Sequence, residues 1–116
     1  MVQAAVASLW HWSQRSDCTP KNLSIGNWQV SRVHALIGSG QEAMRYGQMS
    51  LKYSAGLRAY YVAYAHEAIA RAAILLGDKI KAGEHLKLAR ARLGEIEDGD
   101  ERGQLEKELG ELENGM

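Results

Sequence analysis

Residues 64–72 read YAHEAIARA and begin with His66-Glu67, the first half of a His-Glu-x-x-His pattern. In that pattern two imidazoles four residues apart share one helical face and hold zinc, with the glutamate beside them as general base. The second ligand position, residue 70, is alanine here. The other histidines, His11, His34 and His85, fall on three different predicted helices, so no spacing gathers them. No metal site is therefore expected. Glu67 has a nearer partner: Arg71 follows it by four residues, the favourable order for an ion pair on a helix.

Other catalytic signatures are missing. The chain has no Gly-x-Ser-x-Gly elbow, no phosphate loop ending in Gly-Lys-Ser or Gly-Lys-Thr, and no Gly-x-Gly-x-x-Gly. The glutamates near the end read as a solvated face and not as a tuned acid–base pair. The expectation is a protein that is not an enzyme, with no catalytic residue and no cofactor.

The elements that position these residues are helices. Ala, Leu, Glu, Gln, Lys and Arg dominate a chain with one proline and no phenylalanine, and no segment alternates with a strand period. At 116 residues it makes one domain with a modest core. Cys18 is the only cysteine, which excludes an internal disulfide framework. No Lys or Arg precedes Arg15, and no apolar run approaches the roughly 20 residues that span a bilayer, so a cytoplasmic protein with a reduced thiol and no membrane partner is expected.

Residues 2–15 carry Val2, Val6 and Leu9 at helical spacing. Thr19-Pro20 reads as an N-cap followed by proline at the first helical position, opening a helix to Leu36 or Ile37. Ser39 to Glu42 has the form of a capping box before a third helix ending near Tyr53. Residues 57–76 are apolar or small nearly all round, so this helix should be central. Gly77-Asp78 opens another, about 79–94, with Ile80, Gly83, Leu86, Ala89, Leu93 and Ile96 as its apolar stripe. A turn at 97–100 leads to a final helix, 101–113, with Leu105, Leu109 and Leu112 on one side.

An internal repeat organises these helices. At a constant offset of 39, Arg32 lies over Arg71, Leu36 over Leu75, Gly38 over Gly77, Ala43 over Ala82 and Ser50 over Ala89. Two helices per unit at a fixed period mark a helical solenoid. The small residues seven apart, Ala43 and Ser50, then Ala82 and Ala89, together with the pair Ile69-Ala70, resemble the tetratricopeptide repeat (TPR), over roughly residues 25–94. The segments NWQVSRVHALIG and AYAHEAIARAAILLGD are also similar to short bacterial TPR-like proteins of unassigned role. The period exceeds the usual TPR length, and the first-helix Trp of the family is Asn27 and His66 here.

The reading is an all-α solenoid of five or six helices in one domain. Residues 1–18 form an N-terminal helix, 20–55 and 57–96 two TPR-like units, and 100–113 an acidic closing helix. The resemblance implies a concave groove lined by first helices, with Trp28, Arg32, Tyr64, Glu67 and Arg71 exposed in it, binding a peptide or helix of a protein partner. Arg32 and Arg71 are equivalent and suited to the carboxylates of an acidic segment. The alternative is that they pair internally, Arg71 with Glu67. Trp10, Trp12, Tyr60, Tyr61 and Tyr64 fit helix packing. The first helix is expected to cover the open edge of the array or to pair with a second copy in a homodimer.

Charge suggests another class of partner. Residues 1–93 carry 12 Lys and Arg against 5 Asp and Glu, and residues 94–116 carry 2 against 9. The basic face of 79–94, with Lys79, Lys81, Lys87, Arg90 and Arg92, suits a polyanion, with the acidic end competing. Nucleic acid is the weaker expectation, because aromatic and basic residues do not interleave.

Overall fold

The computed structural model describes residues 5–7, 9 and 19–116. Five complete helices lie among them: α1 (Pro20–Leu36), α2 (Gly40–Ser54), α3 (Ala59–Leu75), α4 (Lys79–Leu93) and α5 (Gly99–Asn114). There is no strand among the described residues. α1 packs chiefly on α2 and α3 on α4, making two helical hairpins. The hairpins stack through α2 on α3 and through α1 on α3. α5 closes the array against α3 and α4. The fold is the all-α stack of hairpins that the repeat implies.

The two turns match bond for bond at the 39-residue offset. Gly38 and Gly77 have φ of 80° and 76°, a left-handed conformation that costs other residues dearly. Gly38 N–H donates to Ala35 O and Gly77 N–H to Ile74 O, both at 3.1 Å. Ser39 N–H donates to His34 O and Asp78 N–H to Ala73 O, both at 2.9 Å. These bonds satisfy the last carbonyls of α1 and α3 and turn the chain back on itself. A short turn forces each helix to lie beside its predecessor.

Small residues set how close the helices come. Ala43, Ala82 and Ala89 are fully buried, and Ser50 is 1% exposed. At Gly47 a Cβ would lie 3.3 Å from the backbone nitrogen of Ile69, so α2 and α3 touch nearly backbone to backbone. The first hairpin adds hydroxyl bonds: Ser24 Oγ donates to Ser50 O, Ser50 Oγ to Ser24 O and Ser31 Oγ to Ala43 O. One repeat later the same positions are Ala63, Ala89 and Ala70, all fully buried. One packing geometry is thus stitched by hydroxyls in one unit and filled by methyls in the other.

α3 is the central helix, with nine buried residues. α5 buries Leu105, Leu109 and Leu112 against it and α4. Each such leucine contributes about 1.5–3 kcal/mol. The acidic helix also meets the basic body, Glu101 lying 3.7 Å from Arg58 and Glu113 taking two hydrogen bonds from Arg90. No helix among the described residues is long and apolar enough to cross a membrane.

Several local expectations change. Thr19 and Asp78 cap as expected, accepting from Asn22 N–H and Lys81 N–H. Ser39 makes no side-chain cap bond, and Glu42 turns outward to Arg45 at 2.8 Å, so no capping box closes. In α4 the buried stripe is Ala82, Leu86 and Ala89, while Ile80 is 78% exposed and Gly83 faces solvent. Close approach to α3 selects the alanines, and Ile80 lies on another face. The final helix starts at Gly99, where Asp98 accepts from the N–H groups of Asp100 and Glu101. Most of the expected helix at 2–15, with Trp10 and Trp12, and also Cys18 lie outside the described residues. Within it, residues 5–7 and 9 are helical, and Leu9 sits against Gly26, where a Cβ would come within 2.8 Å of it.

Open space surrounds Gly38 and Gly77, so conformation alone decides what alanine costs there. Gly38→Ala and Gly77→Ala should each lower stability by about 1–2 kcal/mol. Their effects should add in the double variant. Chemical denaturation of the four proteins measures both statements.

Candidate functional site

Glu67 stands in the most apolar of the five complete helices, and its side chain is completely buried. A lone carboxylate there is costly, so it must find donors. Arg71, one turn on, donates from Nε to Glu67 Oε1 at 2.9 Å and places a second guanidinium nitrogen at 2.8 Å. Trp28, across on α1, donates its indole N–H to Oε2 at 3.1 Å. Arg32, one turn further along α1, brings a nitrogen to 3.8 Å from Oε1, an ion pair without a hydrogen bond. Burial pushes the Glu67 carboxyl above its ordinary range, and Arg71 and then Trp28 pull it back.

The repeat geometry explains why these groups meet. Trp28 and Glu67 are equivalent positions 39 residues apart, as are Arg32 and Arg71. Stacking α1 on α3 sets each pair side by side. The four residues form one cluster at the seam between the hairpins. Tyr64 completes it, meeting Trp28 edge to face with ring centroids 5.6 Å apart.

Beside this seam lies an open cleft of about 400 Å³. α3 supplies Tyr60, Tyr61 and Tyr64, α1 supplies Trp28 with Ser24, Ile25 and Gln29, and α5 supplies Glu101 and Glu108. The rings pack on one another, Tyr60 to Tyr64 at 5.0 Å and Tyr60 to Tyr61 at 5.2 Å. The Tyr64 hydroxyl titrates above its usual range, through burial first and then the charge of Glu108. Tyr60 shifts the same way, through burial and then Glu101. Arg58 sits at the rim, 5.7 Å from the Tyr60 ring and 5.4 Å from the Tyr61 ring.

All five groove residues expected from the sequence are therefore brought together, though not as an exposed set. Glu67 lies wholly inside, because the stacked first helices close over it. Arg71 spends its guanidinium on Glu67, and Arg32 leans on the same oxygen. Sequence reasoning took Tyr60, Tyr61 and Tyr64 as packing residues; Tyr60 and Tyr64 do pack against the core, and all three also line the cleft. It gave Glu101 and Glu108 no role beyond a solvated tail. Their three- and four-residue steps from Leu105 do place them on flanks of the buried stripe, which was the available signal. On the basic face of α4, Arg90 is held by Glu113 and Arg92 lies 3.4 Å from Glu95, while Lys79 and Lys87 face solvent.

The opening His66 finds its partner through space. Its Nδ1 lies 2.9 Å from Nδ1 of His85 on α4, so one imidazole donates and the other must accept as the neutral form. Among the described residues no third His, Cys, Asp or Glu joins the pair to hold a metal. Burial, then His85 and Arg92, pull His66 down to about 4. His85 is lowered by burial and then by Lys81. Compared with known proteins, the chain matches no family model, no curated protein and no solved structure.

Two outcomes follow from these environments. Glu67→Ala removes the acceptor of a buried cluster and should cost about 3–5 kcal/mol in chemical denaturation. Glu67→Gln, which keeps one acceptor oxygen, should cost less. A folded-state pKa below the ordinary 6.5 means that the neutral His66 pair stabilises fully above pH 6.5 and less as pH falls towards about 4. Glu67, with its pKa raised, acts in the opposite direction, so the informative quantity is a difference. Melting temperature followed from pH 7 to pH 4 should fall less steeply in His66→Gln than in the wild type.

Proposed function

We propose that this chain is a non-enzymatic, TPR-like interaction module that binds a segment of a protein partner in the cleft between α1, α3 and α5. One observation carries the reading: four aromatic side chains, Trp28, Tyr60, Tyr61 and Tyr64, line an open cleft on the first helices of both hairpins. Aromatic groups anchor peptides well, because they offer large contact area and lose little side-chain freedom. The cluster around Glu67 supports them from behind by fixing the indole of Trp28 through its N–H. The site is thus preorganised, which lowers the entropic cost of binding. The arginines of the seam act here as positioning residues, and the ligand meets the rings.

The polyanion reading has less support, since both arginines of α4, Arg90 and Arg92, already face carboxylates of the same chain.

A displayed library of random 12-residue peptides selected on the purified protein tests the proposal. Selected peptides should shift the Trp28 indole N–H signal and the backbone signals of Tyr60, Tyr61 and Tyr64 in nitrogen–proton correlation spectra. Gln29→Trp, which fills the cleft from an exposed position, should weaken binding by about tenfold or more. Peptides that bind mainly at α2 or α4, or that ignore Gln29→Trp, would overturn it.

A further inference from the structure

The cleft has a charge as well as a shape. Its lining contains two carboxylates, Glu101 and Glu108, and no basic group. Aromatic faces carry negative potential and favour cations above them. Glu108 stands beside the Tyr64 hydroxyl with Gln104 Nε2 3.4 Å from its Oε1, and no close donor is aligned on its Oε2. A buried unpaired acceptor is costly, and a ligand that supplies an N–H relieves it.

The chain shows the matching chemistry at its own rim. Arg58, with 64% of its side chain exposed, stands over Tyr60 and Tyr61 and reaches Glu101 at 3.7 Å. Lys21 lies 5.7 Å from the centroid of the Tyr61 ring. Both cations are at the edge of the cleft, and neither reaches Glu108 among the described contacts. A second guanidinium entering beside Arg58 would stack on Tyr60 or Tyr64 and bring its positive charge up to the Glu108 carboxylate.

Resting on the peptide-binding reading, we propose that the anchor of the bound segment is an arginine side chain, held between the aromatic wall and Glu108. The partner segment is then basic, the reverse of the acidic segment suggested by Arg32 and Arg71. Arg71 is hydrogen-bonded to Glu67 at the seam and Arg32 leans on the same oxygen, whereas the charged groups lining the cleft come from α5. Arginine fits better than lysine because its planar fork both stacks on rings and pairs with a carboxylate.

The test uses the full chain and the peptides selected above, resynthesised with each arginine replaced by citrulline, which has the same shape and no charge. One arginine should prove necessary, with its citrulline form binding about tenfold more weakly. Lysine at that position should fall between the two. Glu108→Gln should reduce the difference between the arginine and citrulline forms while leaving the spectrum of a folded protein. Peptides that occupy the cleft without any arginine, or that bind equally as citrulline, would overturn the arginine anchor and leave the peptide-binding reading standing. If no peptide binds in the cleft, the underlying reading fails. N-acetyl-arginine methylamide, titrated at millimolar concentration, then decides the inference alone: a shift of the Trp28 indole N–H that citrulline methylamide does not produce supports it, and no shift overturns it. The citrulline comparison alters only the ligand, so its outcome does not depend on how any variant folds.

Discussion

A single carboxylate inside an apolar helix constrains much of this molecule. Glu67 has no access to water, and its charge is tolerable only where donors surround it. Arg71 comes from the same helix and would be available to α3 alone. Trp28 and Arg32 come from α1 and reach Glu67 only when the two hairpins stack in one register. A slip of one turn between α1 and α3 would leave the carboxylate with fewer partners. The cluster therefore opposes alternative registers, a role that polar groups fill in some packed cores at a cost in stability.

The aromatic wall follows from the same arrangement. Holding the Trp28 indole by its N–H presents the ring edge to face with Tyr64, and Tyr64 continues through Tyr60 to Tyr61. Three of these rings sit on the first turns of α3, and the fourth comes from α1. The cleft thus lies where the two repeats meet, with α5 as its third wall. α5 is anchored by leucines and leaves its glutamates on the flanks. A closing helix commonly only covers an exposed end. Here it also supplies the charge of the cleft.

Much of the architecture was legible in the residues. Left-handed turns need glycine, and Gly38 and Gly77 stand where the turns are. Close helix packing needs small residues, and Ala43, Ser50, Ala82 and Ala89 are buried as the repeat demands. The pair formed by Glu67 and Arg71 follows from helical spacing alone. Less was legible where one helix offered two apolar faces. Ile80 looked like core because it completed a stripe, yet the buried face of α4 runs through alanines. Ser39 and Glu42 had the spacing of a capping box, and a neighbouring arginine took the glutamate.

The sequence by itself determined the helices, their turns and the offset that relates the two units, because these depend on backbone conformation and on periods of a few residues. The resemblance to the tetratricopeptide repeat also marked Trp28, Arg32, Tyr64, Glu67 and Arg71 as a set, and the offset of 39 paired Arg32 with Arg71. Only the tertiary structure decided that Glu67 is inside and that both arginines lean on it. It alone set His66 against His85 and brought Glu101 and Glu108 to the aromatic wall. Those contacts join segments far apart in the chain, and burial depends on which faces close over a residue. Local spacing carries no record of either.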